Sequence, residues 1–116
     1  MNKTAVNVIE DGVLASAKRT VSTERRALEA LERAFDYGLA APFMRAIEMI
    51  NGITGRVIVT GVGKSGHIGV KIAATLASTG TQAFFVHAAE ANHGDLGMIS
   101  TTDVVLAFSK GADFSE

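Results

Sequence analysis

The sequence predicts an α/β fold, with N-terminal helices followed by a parallel, three-layer αβα sheet that is truncated after about three strands. Three observations predict it. The first 55 residues carry their apolar side chains at helical spacing. From Arg56 onward the apolar runs become consecutive and β-branched, as in strands buried on both faces. The second and third runs are reached through connections that the order strand–helix–strand makes parallel and right-handed. The chain divides accordingly into a helical region, 1–55, and the first half of a doubly wound sheet, 56–116.

Element by element, Val6, Ile9, Val13, Leu14, Ala17, Val21, Leu28, Leu31 and Phe35 mark an apolar stripe. Glu24, Arg25, Arg26, Glu29, Glu32 and Arg33 fill the other face, which predicts one long or two consecutive helices over 4–34, any break falling near 20–23. A further helix is expected over 42–50, opened by Pro42, with Phe43, Ala46, Ile47 and Ile50 as its buried stripe. Asn51-Gly52 ends it. Residues 56–60 read as a buried strand and 65–78 as a helix with Ile68, Ile72, Ala73 and Leu76 inward. After the turn at Thr79-Gly80-Thr81 come a second buried strand, 83–86, a loop with at most a short helical piece, 87–100, and a third strand, 103–108.

Composition narrows the function. At 116 residues, 47% hydrophobic and 20% charged, the chain is of globular type. A formal net charge of −1 with no basic cluster argues against a nucleic-acid surface. The absence of cysteine removes disulfides, thiolate zinc sites and a cysteine nucleophile. No apolar run approaches the roughly 20 residues of a membrane span, and the N-terminus lacks the apolar core of a signal peptide. Cytoplasm is the expected compartment.

The most informative stretch is Val59-Thr60-Gly61-Val62-Gly63-Lys64-Ser65-Gly66-His67, a strand breaking into a glycine loop that opens a helix. Backbone N–H groups and the positive end of the helix dipole converge there on an anion, and Lys64 adds a mobile charge. A Walker A loop would need glycine at position 58, which is Ile58. Gly61, Gly63 and Gly66 satisfy the dinucleotide pattern GxGxxG, but Val86-His87-Ala88 stands where that reading needs an acid. A phosphate or sugar-phosphate pocket needs only the loop, Ser65 and the helix end. Glycines here would also serve tight packing, but packing gives no reason for Lys-Ser.

Gly63-Lys64-Ser65-Gly66-His67-Ile68-Gly69, the run 71–81 (KIAATLASTGT) and the block Glu90-Ala91-Asn92-His93-Gly94-Asp95-Leu96-Gly97-Met98-Ile99 closely resemble the sugar isomerase (SIS) domain of the arabinose-5-phosphate isomerase family. The similarity runs over about 56–106 and implies a flavodoxin-like sheet. It also implies interconversion of D-arabinose 5-phosphate and D-ribulose 5-phosphate, a step that feeds the eight-carbon sugar Kdo of lipopolysaccharide or capsule. Such an isomerase moves a proton between C1 and C2 through an enediolate and requires no redox cofactor. Carried over by position, Lys64, His93 and Glu116 match catalytic residues. Gly63, Ser65, Gly66, Gly80, Thr81, His93 and Ser109 match substrate contacts. His87 matches a position that holds a metal, typically zinc, in the family. The implied partners are a phosphorylated sugar and further copies of the chain, as a dimer or tetramer, for which the N-terminal apolar stripe is suited.

The resemblance has departures. The family's second phosphate loop, Ser-x-Ser-Gly-Glu-[ST], is here Ser109-Lys110-Gly111-Ala112-Asp113-Phe114, which keeps the first serine and loses later hydroxyls. The family's later strands, and the CBS domains many members carry, have no counterpart in these residues. The chain is therefore expected to be a truncated isomerase domain without a complete active site. The alternatives are a non-catalytic SIS module that binds a phosphosugar or pairs with a full-length isomerase, and, more distantly, a nucleotide binder.

Overall fold

A computed structural model describes residues 3–91 and 95–110. Its Cα positions divide the chain into two compact units, Met1–Arg45 and Ala46–Glu116.

In the first unit, helix α1 runs unbroken over Lys3–Ala34. The break allowed near 20–23 does not occur, because Thr20 and Thr23 turn their hydroxyls back onto the carbonyls of Ser16 (3.1 Å) and Arg19 (2.9 Å). Their side chains are satisfied inside the helix rather than competing with it. The stripe predicted on α1 is open to solvent, with Val13 and Leu28 more than 60% exposed. No helix among the described residues is long and apolar enough to cross a membrane. A turn over 35–39 folds back on the helix end through Leu39 N–H to Ala34 O (3.1 Å). Phe35 meets Phe43 edge to face at 5.1 Å.

Helix α2 spans Ala40–Gly52, starting two residues before Pro42. Pro42 therefore falls in the first turn, where a missing N–H forfeits no intrahelical bond. The buried stripe expected on α2 is a correction: Phe43, Ala46 and Ile47 are exposed, and only Ile50 is half-buried, against the core of the second unit.

The second unit holds a three-stranded sheet, β1 (Val57–Gly61), β2 (Ala83–Phe85) and β3 (Val104–Phe108), in the order β2-β1-β3. Both pairings are parallel, with Val57 opposite Ala83 and Val104, and Gly61 opposite Phe108. β1 is central, and Val57, Ile58 and Val59 are all at most 1% exposed. That explains its uninterrupted apolar run. β2 was expected to be buried, but it is an outer strand of the sheet and only half-buried; Val86, just beyond it, is buried and donates to Val59 O (2.8 Å). β3, the other outer strand, alternates half-buried and exposed positions.

Helix α3 (Gly63–Ser78) connects β1 to β2. Its inner face is also a correction. Gly66, Gly69 and Ala73 are buried and Ile72 and Leu76 half-buried, whereas Ile68 is 57% exposed. Small residues at i, i+3 and i+7 let the helix lie close to the sheet, and that geometry turns Ile68 outward. The segment between β2 and β3 contains a one-turn helix α4 (Ala88–Ala91) and a 3-10 turn (Asp95–Met98).

A buried carboxylate ties the amino-terminal edge of the sheet together. Asp103, its side chain 1% exposed, accepts from Arg56 N–H (2.7 Å) and Ser100 N–H (2.8 Å), and pairs with the Arg56 guanidinium at 3.3 Å. That guanidinium also donates to Met98 O (2.7 Å) and lies 4.8 Å above the Phe84 ring. The Ser100 and Arg56 N–H bonds hold the Asp103 carboxyl well below the usual carboxylate range. A carboxyl whose pKa is depressed by folding stabilises the fold above its unfolded pKa of about 3.9 and loses that contribution as pH falls below it. Asp103→Asn should lower the denaturation midpoint at neutral pH. Measured against pH, the wild-type and variant midpoints should begin to approach one another below about pH 4 and meet only well below it, toward the depressed pKa of the folded state; parallel curves would contradict this role.

Candidate functional site

The carboxyl ends of parallel strands are where open α/β sheets present ligand-binding loops. Here that edge carries the β1–α3 loop, His87 just past β2, and Ser109 just past β3. Gly61 and Phe108 are opposite one another, so Ser109 lies beside the glycine loop.

Gly63 begins α3 with φ +60° and open space around its Cβ position. Backbone conformation, not crowding, demands glycine here. Lys64 follows, exposed, and Ser65 is half-buried. Val62 occupies the N-cap position in extended conformation, and no side chain caps the helix. The first intrahelical bond is Gly66 N–H to Val62 O (3.2 Å). The amides of residues 63–65 thus precede it, at the positive end of a 16-residue helix. No acidic residue lies in this first turn, and Lys64 has no carboxylate partner among the described residues. A lysine at that end of a helix dipole is unfavourable until an anion arrives.

Gly66 has a different task. A Cβ there would stand 2.8 Å from the Gly61 carbonyl oxygen, and one on Gly61 would stand 3.1 Å from Gly66 N. The two glycines let the helix start touch the strand end backbone to backbone. Gly69 extends the contact, its Cβ position closed off by Phe85 (3.1 Å) and Val59 (3.2 Å).

A cleft of about 300 Å³ opens at this edge, lined by Gly63, Gly66, His67, Val70, Phe85 and His87. His67 is an exposed wall of it. Val70 and Phe85 were not among the predicted site residues. The signal was present for Val70 and His67, which share a helix face with Gly63 and Gly66 at i, i+3, i+4 and i+7. The His87 ring stands edge to face with Phe85 at 6.5 Å, and its Nδ1 accepts from Ala89 N–H (3.2 Å). His93 and Glu116 lie outside the described residues, as does the run 111–116.

Gly80 and Thr81 sit at the other end of α3, ~24 Å from Gly63 at 1.5 Å per residue. They terminate the helix. Thr81 N–H reaches Leu76 O (2.9 Å), Gly80 N–H reaches Ala77 O (3.3 Å), and Gly80 takes φ +100°. This is a Schellman turn, which by itself accounts for glycine there. Both residues line a larger cleft of about 430 Å³ at the amino ends of the strands, with Ile50 and Asn51 among its walls. Size favours that cleft. The uncapped helix end, Lys64 and the carboxyl strand ends favour the smaller one, which we take as the candidate site. Within one chain the two groups of predicted contacts cannot meet on one small ligand.

No three of His, Cys, Asp and Glu gather anywhere among the described residues, and the Nδ1 of His87 is already an acceptor. What the site offers is a set of donors: three amides, an ammonium and a hydroxyl, suited to an oxygen-rich anion.

Comparisons with known proteins agree on the family. The SIS domain model matches residues 49–114. Arabinose 5-phosphate isomerase KdsD of Pseudomonas aeruginosa is 52% identical over 101 residues, covering 87% of this chain and 30% of that protein. Arabinose 5-phosphate isomerase GutQ of Escherichia coli K12 is 63% identical over 76 residues, covering 64% of this chain and 24% of that protein. A solved structure of an E. coli CFT073 protein in complex with A5P superposes with a TM-score of 0.73 at 41% identity, covering 96% of this chain and 53% of that one. The chain spans about a third of the length of the curated relatives it matches.

The two roles of glycine can be separated. Gly66→Ala should destabilise the fold by about 1–3 kcal/mol through overpacking against Gly61. Gly63→Ala should cost about 1–2 kcal/mol through the left-handed backbone alone, in a site with room for the methyl. Urea denaturation measures both, and an unaffected Gly66→Ala protein would overturn the packing assignment.

Proposed function

The chain belongs to the SIS domain family, and on that premise we propose that it binds a phosphorylated sugar at the amino end of α3 and carries part of an aldose–ketose isomerase site acting on arabinose 5-phosphate. The observation that carries this reading is the uncapped start of α3 with Lys64 beside it and no acid in its first turn. The A5P complex of the related E. coli protein and the named activity of the curated relatives support the choice of ligand.

On this reading the amides of residues 63–65 and the Ser65 hydroxyl hold anionic oxygens of the ligand. Lys64 stabilises the negative charge that develops on oxygen as the C1–C2 enediolate forms. His93 relays a proton or polarises a sugar oxygen, Glu116 serves as a further catalytic carboxylate, and Ser109 adds a hydroxyl from the end of β3. The interconversion of arabinose and ribulose 5-phosphates feeds Kdo synthesis.

The test is isothermal titration with arabinose 5-phosphate, run beside a turnover assay. Lys64→Ala should weaken binding by about tenfold or more, the scale of one lost charge-assisted hydrogen bond, with the denaturation midpoint of the ligand-free protein no lower, because Lys64 is exposed and opposes the helix dipole. Unaltered affinity in the variant would remove Lys64 from the site. Binding without turnover would assign the chain to phosphosugar binding alone.

A further inference from the structure

We infer that Val70 sets the length of ligand that the cleft accepts, as an apolar stop that disfavours sugar phosphates of more than five carbons. The class of ligand rests on the phosphosugar reading above; the length limit rests on where Val70 stands in the cleft.

The cleft has two ends of different chemistry. At one end are the amides of residues 63–65 at the start of α3, with Lys64 beside them. Val70 lies two helical turns farther on, ~10 Å from Gly63 at 1.5 Å per residue, and shares the cleft with Phe85. A phosphate held at the first end leaves an extended carbon chain running along α3, and five carbons bring it to the level of Val70. A sixth carries its hydroxyl against an isopropyl group. That hydroxyl loses water there without gaining a partner.

Val70 has no packing duty that accounts for it. It is 48% exposed and stands outside the core that Ala73 and Leu76 of the same helix join. Isolated exposed apolar side chains are common, but this one is a cleft wall whose neighbours are polar or already engaged. Phe85 fills the space against Gly66 and Gly69, 3.6 Å and 3.1 Å from where their Cβ atoms would stand. His67 and His87 are polar, and the glycine walls carry no side chain. Val70 is therefore the wall whose bulk can vary without moving α3 against the sheet or removing a polar group. Discrimination by one carbon in a pocket is about tenfold or more, and the half-exposure of Val70 places it at the low end.

The test is isothermal titration with two open-chain probes, arabinitol 5-phosphate and mannitol 6-phosphate, which differ by one carbon at the end away from the phosphate. The wild type should prefer the shorter probe by about tenfold. Val70→Ala should remove most of that preference, and Val70→Leu should increase it. Equal affinity of the wild type for both probes overturns the proposal. So does a preference that neither substitution moves, or that both move in the same direction. Alanine and leucine both exceed valine in helix propensity, so both variants should fold, which their denaturation midpoints check. If the wild type binds neither probe nor arabinose 5-phosphate, the phosphosugar reading fails and the length limit with it. Binding with a preference indifferent to Val70 leaves that reading standing and overturns the length limit alone.

Discussion

The backbone contact between Gly61 and Gly66 is the constraint from which the rest of this unit follows. It fixes where α3 begins relative to the end of β1, and so where the helix dipole points. A side chain at either position would hold the first turn away from the strand, as the 2.8 Å and 3.1 Å approaches require. Once that contact is made, Gly69 and Ala73 carry the helix along the sheet, and Phe85 fills the space their small side chains leave. The anion-attracting amides at residues 63–65 are a by-product of packing. The exposed Lys64 side chain contributes nothing to that packing, which is why it reads as chemistry.

The two edges of the sheet divide the work. At the amino edge, Asp103 gathers Arg56 and Ser100, and Arg56 reaches on to Met98, so the segment returning to β3 is pinned where it re-enters the sheet. At the carboxyl edge, among the described residues, the amides of 63–65 and Lys64 are donors without an internal acceptor. Polar satisfaction at one end and its absence at the other is what separates a structural latch from a ligand site. The larger cleft at the amino edge, beside a completed Schellman turn, has Asn51, Thr54 and Gln82 among its polar walls but no cationic side chain.

Much of this was legible in the sequence. β1 announced itself through consecutive Val57, Ile58 and Val59, and the glycine loop through its spacing. The buried face of α3 was misjudged because hydropathy rewards Ile68, whereas close packing rewards glycine, which hydropathy does not count. The stripe on α2 was read as buried because its period was right, and period says which residues share a face without saying what covers it. Gly80 and Thr81 were grouped with Lys64 by resemblance. A 16-residue helix separates them, a distance that motif matching does not register. The Asp103 cluster went unnoticed, since Arg56 and Asp103 are 47 positions apart and nothing local links them.

The short connection from α3 to β2 has one more effect. Phe84 and Phe85 are adjacent in a strand and so face opposite sides of the sheet, one beneath Arg56 and the other against Gly66 and Gly69. Their assignment to those sides depends on the count of residues between the Schellman turn and Ala83. One residue more or fewer at Gln82 would exchange the two rings in a single step. The chain length of a turn thereby selects which of two identical side chains becomes a wall of the cleft and which becomes the platform for a cation.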